Sequence, residues 1–411
     1  MHSPPRSLWY IPDFRRLWAG RTISLLGSQV TFLALPLVAI VSLHATPFQM
    51  GTLGATSGIP TVLFGLFIGV WIDRHRRRPV LIATDLGRAL LLLCIPVAVL
   101  AGILHLALLL LVAFLVGILT LIFDVAAQAF LPTLIPREQL IEANSKLEIS
   151  RSAAEIAGPG VAGGLVQLMT APFALIADAA SFVVSALLLA GIRVSETPVP
   201  RGTDSRVRAE IGEGVRWVLR HPVLQPLTGA TAILAFFNSL LEAVYLLYLT
   251  RTLGLAPAIL GTIFAIGGVG FLLGALVAER VARRVGTGPT LVVALALVGL
   301  ADLAAPLVGG GSRVVAPILV GAQCCFGLGL IVFTITTASL RQESTPDWLQ
   351  GRMNATVRLL VQGLTPLGAL VGGVLGQSVG LRPTLFVAVG GELLAALWLL
   401  CSSVRRLGTA A

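Results

Sequence analysis

Glu242 stands inside an apolar stretch with Asn238 one helical turn before it. A carboxylate so placed can take up and release a proton against a polar or cationic solute, and a site at the mouth of the stretch would leave it merely hydrated. Arg151 and Glu155 lie four residues apart and can meet on one helix face, as a proton or solute site or as a structural pair. Asp73 belongs to the run Gly69-Val-Trp-Ile-Asp73-Arg74-His-Arg-Arg77-Arg78, and a degenerate copy, Glu279-Arg280-Val-Ala-Arg283-Arg284, follows about half the chain later. Each cluster lies where a long apolar segment meets a short connection. Charge there costs less than charge in mid-segment; it can anchor the loop, or be made and broken as a gate. Gly158, Pro159, Gly163 and Gly164 offer small residues for close helix approach and a proline that weakens the helix locally.

Other chemistry is argued against by what the chain omits. Its single lysine, Lys146, follows Asn144-Ser145, so no phosphate-binding loop ending in Gly-Lys-Ser/Thr exists. There is no HExxH, and the five histidines are scattered through connections. Cys94, Cys324, Cys325 and Cys401 fall in or beside apolar segments without metal spacing, and read as small packing residues. The expectation is a protein that is not an enzyme and uses no cofactor or metal.

These side chains need membrane-length elements to hold them. Hydrophobic residues make up 56% of the chain and charged residues 12%, half the fraction usual in soluble domains, with mean hydropathy +0.93. Twelve segments of about twenty apolar residues, the length that crosses a bilayer, fall near 17–43, 48–72, 79–101, 104–130, 147–169 and 172–192, then 223–249, 257–278, 289–308, 314–340, 355–377 and 382–403. The net charge of +10 gathers as arginine in alternate connections, among them Arg74, Arg77, Arg78, Arg137, Arg201, Arg206, Arg208 and Arg352. That is the positive-inside pattern rather than a nucleic-acid face, and it puts both termini in the cytoplasm, the first residues forming a retained tail rather than a signal peptide. Arg21, Arg88 and Arg358 lie near cytoplasmic helix ends, where long side chains can reach the interface.

The domains are read as 1–192, a linker 193–222 and 223–411. Within the linker, 209–220 has the spacing of a surface amphipathic helix. The halves echo each other: Phe123, Pro136, Asn144, Gly158 and Gly163 recur at one offset as Phe333, Pro346, Asn354, Gly368 and Gly373. Repeats of this kind, related by an axis along the membrane normal, are a recurring transporter plan.

The run from Gly69 to Arg78 resembles the loop signature of the major facilitator superfamily, with Arg76 where that family usually has glycine. Asp124 to Pro132, Asn144, and Arg151 to Gly158-Pro159 resemble the branch of bacterial macrolide-efflux pumps and the enterobactin exporter. Gly158 to Gly163 also approximates the antiporter motif of drug exporters, with Ala162 and Ala154 in place of glycines. The resemblance implies an all-α membrane protein of twelve transmembrane helices in two pseudo-symmetric six-helix bundles. It implies that Asp73 faces the start of span 11, that Asp124 pairs with Arg77, and that spans 1, 4, 7 and 10 line a cavity. It places Asp178, Asp302 and Glu392, on spans 6, 9 and 12, at the periphery.

The expected activity is proton-coupled efflux of amphipathic small molecules by alternating access. A dedicated exporter of one metabolite or siderophore competes with it, and a non-transporting receptor or scaffold stands further off. The expected partners are the small-molecule substrate, protons and membrane lipids, with no nucleic acid, for a monomer in a bacterial inner membrane.

Overall fold

A computed structural model describes residues 8–136, 139–194 and 215–408, and they are helical almost throughout. Apolar segments leave the backbone no other way to satisfy its polar groups in hydrocarbon. The helices are α1 Pro12–Leu37, α2 Pro47–Asp73, α3 Arg77–Leu100, α4 Leu106–Leu134, α5 Leu140–Met169 and α6 Ala171–Ala190. There follow α7 Leu224–Arg251, α8 Pro257–Val285, α9 Thr287–Asp302, α10 Ser312–Glu343, α11 Asp347–Ser378 and α12 Leu381–Leu400.

Ten helices among the described residues are long and apolar enough to cross a membrane. Helices α2 and α5 have the length, 27 and 30 residues, but are not among those ten. The first half of α5 carries Glu142, Lys146, Glu148, Arg151 and Glu155. Several helices run past the apolar stretch that announced them. Helix α10 reaches Glu343, because charged turns continue a helix readily once it is nucleated. The linker reading falls mostly outside the described residues; of its amphipathic segment, 215–220 is helical. Arg137, Arg201, Arg206 and Arg208 also lie outside them, as does the side chain of Asp73.

The chain divides into two compact units. One comprises Met1–Leu43 and Leu63–Gly202, the other His44–Val62 and Thr203–Ala411. Helix α2 is therefore divided, and its first half belongs with the later helices. There Gly51 meets α11 so closely that an added Cβ would lie 2.5 Å from the Ala369 carbonyl and 2.7 Å from Gly373 Cα. Ala55, Ala243 and Ala369 complete a small-residue cluster of α2, α7 and α11, the composition that lets membrane helices approach. The larger cores centre on Phe14, Phe123 and Phe130 in the first unit and on Leu227, Leu295 and Leu399 in the second.

Helix α3 shows the solvent for which the fold is built. Asp85 and Arg88 on it are 0% and 2% exposed, while Leu90 and Val97 are 67% and 61% exposed. Water would favour the reverse arrangement; a hydrocarbon surround favours this one. Prolines sit inside several helices, and Pro36 in α1 precedes a wide turn over Val38–Ser42 closed by Leu43 N–H to the Val38 carbonyl at 3.3 Å. At the start of the chain Lys146 of α5 places its ammonium 4.8 Å from the Trp9 ring and pairs with Glu142 at 3.4 Å.

Candidate functional site

The polar face of α7 is set by helical spacing. Thr231, Asn238 and Glu242 recur along one side, while residues 243–249 beyond them are buried. Arg341 of α10 donates to the Thr231 hydroxyl at 2.8 Å, and Ser239 donates to the Thr365 carbonyl of α11 at 2.7 Å, so both neighbouring helices are tied to α7 by hydrogen bonds. Glu242 is exposed on this face of α7.

Behind Asn238 lie two carboxyls that the resemblance sets at the periphery. Glu392 of α12 is 0% exposed and Asp302 of α9 is 6% exposed. The two face each other, Asn238 is turned toward Glu392, and Glu242 adds a third acidic charge to both. Asn238 offers its amide to Glu392, and neither Glu392 oxygen nor Asp302 Oδ2 receives a well-aligned hydrogen bond among the described residues. Asn238 thus stands between the open face of α7 and a closed acidic pair. Membership in a peripheral span does not fix which way a side chain points, and these two point inward.

The first unit holds the opposite arrangement. Arg88 pairs with Asp85 one turn away on α3 and is sandwiched between the rings of Phe123, at 4.4 Å, and Phe182, at 4.1 Å. Its charge also acts on Asp178 of α6. Asp178 accepts hydrogen bonds from Thr31 of α1 and, at 3.0 Å, from Ser181. This is a compensated ionic core, with the cation, its partners and two aromatic faces assembled from α1, α3, α4 and α6. Its place near a helix end suggests that Arg88 reaches out to the interface; it is buried instead, because its carboxylate partners lie inside the unit.

In the loop signature, Arg78 donates from Nε to the Leu189 carbonyl at 3.1 Å and from its terminal nitrogen to Ala190. Arg16 donates to the Gly191 carbonyl at 2.6 Å. Two guanidinium groups thereby serve the free carbonyls at the end of α6, where the helix dipole favours positive charge. His75 stacks on Trp71 with centroids 4.3 Å apart. Arg76 caps α3 in extended backbone, φ −66° and ψ 123°, so the turn proceeds without the glycine freedom that the family pattern suggests. Arg74 is exposed, and an added Cβ at Gly69 would meet nothing within 4 Å.

Asp124 lies 3.9 Å from Arg21 of α1. Arg151 donates to Glu155 at 2.9 Å, both being half-exposed. Glu279 and Arg283 pair at 2.6 Å on an exposed face, and Arg280 returns to the Leu276 carbonyl at 3.0 Å; Arg284 is exposed. An added Cβ at Gly158 would strike Gln29 of α1 at 2.3 Å, Pro159 and Gly163 are buried, and Gly164 borders open space. The small-residue stripe therefore packs at Gly158 and not at Gly164. Among the described residues no group of three or more His, Cys, Asp or Glu side chains could hold a metal ion.

Comparison with known proteins agrees with this architecture. The chain is 27% identical to the uncharacterized MFS-type transporter YfiS of Bacillus subtilis, covering 89% of this chain and 87% of that one. It is 25% identical to the multidrug efflux pump Tap of Mycolicibacterium fortuitum, covering 87% and 88%. To macrolide efflux protein A of Streptococcus pyogenes it is 20% identical, with 96% of both covered. The crystal structure of the nucleoside transporter NupG superposes with a TM-score of 0.78 at 12% identity, covering 94% of this chain and 98% of that one. A bacterial homologue of the iron transporter ferroportin superposes with a TM-score of 0.76 at 21% identity, covering 96% and 99%. Nucleosides and iron are different cargoes, so the shared fold does not name one here. A model of the transmembrane secretion effector family matches residues 8–411, and the chain belongs to that family of the major facilitator superfamily, alongside the macrolide and multidrug efflux proteins.

Proposed function

We propose that this protein is a proton-coupled exporter of amphipathic small molecules, spanning a bacterial inner membrane twelve times with both termini in the cytoplasm. The observation that carries the proposal is the face of α7. A reachable carboxylate, Glu242, stands in a membrane-length helix in line with Asn238 and Thr231, where one solute or one proton can be met at a time. Alternating access then follows from differential stabilisation: a protonated site favours one state and a loaded site the other. Efflux relatives support the direction, and the arginine bias of alternate connections supports the orientation. Asp73, Arg74, Arg77 and Arg78 act in this reading as the gate between spans 2 and 3, with 1–192 and 223–411 as the two halves that rock.

Inverted membrane vesicles with an acidic lumen, read by a ΔpH dye, test it. Adding macrolides or cationic dyes should release lumenal protons through the wild type, and Glu242→Gln should reduce that release to the background of empty vesicles. Release undiminished in Glu242→Gln would remove Glu242 from the coupling step. A dedicated exporter would respond to a single compound of such a panel, and that response would replace the broad-cargo reading.

A further inference from the structure

Arg88 and Asp178 in the first unit are separated from Asp302 and Glu392 in the second by one and the same offset along the chain. The helix pairs correspond, α3 facing α6 in one unit and α9 facing α12 in the other, and the second pair of side chains stands one helical turn further along its helices than the first. Thr31 of α1 donates to Asp178, and Asn238 of α7 is turned toward Glu392 from the matching helix. Each unit thus buries an acid between its third and last helices, near a polar residue of its first, with an arginine beside that acid in the first unit and an aspartate in the second. A buried carboxylate compensated by a guanidinium becomes a carboxylate facing another carboxylate.

We propose that the Asp302–Glu392 pair is a proton-binding site, holding one proton where the first unit uses a guanidinium group, and exchanging it with Glu242. Two ionised carboxylates have only acceptors to offer each other, and Glu392, 0% exposed, has beside it the neutral Asn238 amide and no well-aligned hydrogen bond to either oxygen among the described residues. One proton between them supplies the missing donor and halves the charge that burial penalises. Helix α7 contributes Asn238, Glu242 and Tyr245 to the surroundings of the pair, the last near Asp302, and none of these brings positive charge. Arg341 of α10 is engaged with Thr231, and Arg382 at the start of α12 donates to the Pro306 carbonyl at 2.6 Å. Glu242 is the exposed member of the three, so the proton's route runs from the closed pair past Asn238 to the exposed face of α7.

This inference rests on the proton-coupled reading for its role in transport, but the pair's protonation can be tested without transport. Infrared spectra of the full-length protein in lipid vesicles, at neutral pH and with no added compound, are compared for wild type and Asp302→Asn/Glu392→Gln. The wild-type-minus-variant difference should contain the carbonyl stretch of a protonated carboxyl, and the amide bands of the same spectra report that the helices persist. A difference containing only carboxylate bands would overturn the proposal; should the double variant lose its helical amide signal, Glu392→Gln alone is read in the same way. A protonated pair in a wild type that releases no protons in the vesicle assay would sink the coupling reading and leave the pair standing. Proton release without the carboxyl band would do the opposite. If both hold, Glu392→Gln should lose compound-dependent proton release while still exchanging labelled for unlabelled compound across the membrane.

Discussion

Arg88 holds a full charge at 2% exposure between two phenyl rings, and its value to the fold is the charge it cancels. Arg88→Ala leaves Asp85 and Asp178 buried without their cation, an uncompensated arrangement that costs about 3–5 kcal/mol. The expected result is a large fall in the melting temperature of the detergent-solubilised protein, whereas Arg151→Ala, at a half-exposed pair, should shift it by about a degree or two at most. An equal melting temperature for Arg88→Ala and wild type would show that the first unit has no ionic core. Residue-level reading of the sequence goes far enough to bring Arg151 beside Glu155, because a separation of four fixes neighbours on a helix whatever surrounds it. It does not reach Asp302 and Glu392. Those two lie far apart in the chain, and only the packing of α9 on α12 brings them together.

At the scale of the element, apolar length locates the helices well and locates their ends poorly. The stretch expected from residue 147 begins as α5 at Leu140, because its first turns are charged and helical at once. Hydropathy sees hydrocarbon-facing residues and is silent about a helix that continues past them. What positions the elements is small-residue contact. Gly51→Leu would drive a side chain into the backbone of α11, with the Ala369 carbonyl 2.5 Å from the first added atom. Overpacking of that kind costs about 1–3 kcal/mol. Gly65→Leu, on the same helix with nothing within 4 Å, should be close to neutral. A thermal melt comparing the two variants checks the pair, and equal melting temperatures would remove the close approach of α2 to α11 as a source of stability. The same physics separates Gly158, which meets Gln29, from Gly164, which meets nothing, although the motif writes both with the same letter.

For the whole molecule, the compact units part near residue 202, and one earlier segment crosses over. Residues 44–62 group with the helices after residue 203. No composition change marks that segment in the sequence, since its membership is decided by Gly373, Ala369 and Ala243, far along the chain. A consequence is that residues 203–411 alone lack part of their own packing. Expressed alone, that fragment should be degraded faster than when co-expressed with 1–202, as followed by pulse-chase. Equal lifetimes would show that 44–62 adds nothing to the second unit. The duplication is legible from recurring glycines and prolines because backbone demands repeat faithfully. The charges buried between the third and last helices of each half are not, because only contact reveals what each charge faces.

The protein carries one lysine in 411 residues, and that lysine sits over Trp9 at 4.8 Å. Chemically, the side chains present a single amine address, on α5, within touching distance of an indole that quenches many dyes. An amine-reactive fluorophore attached at Lys146 would dim or brighten with the separation of α5 from the start of the chain. The molecule is thus supplied with an optical ruler on its first unit, needing no cysteine removed and no residue introduced.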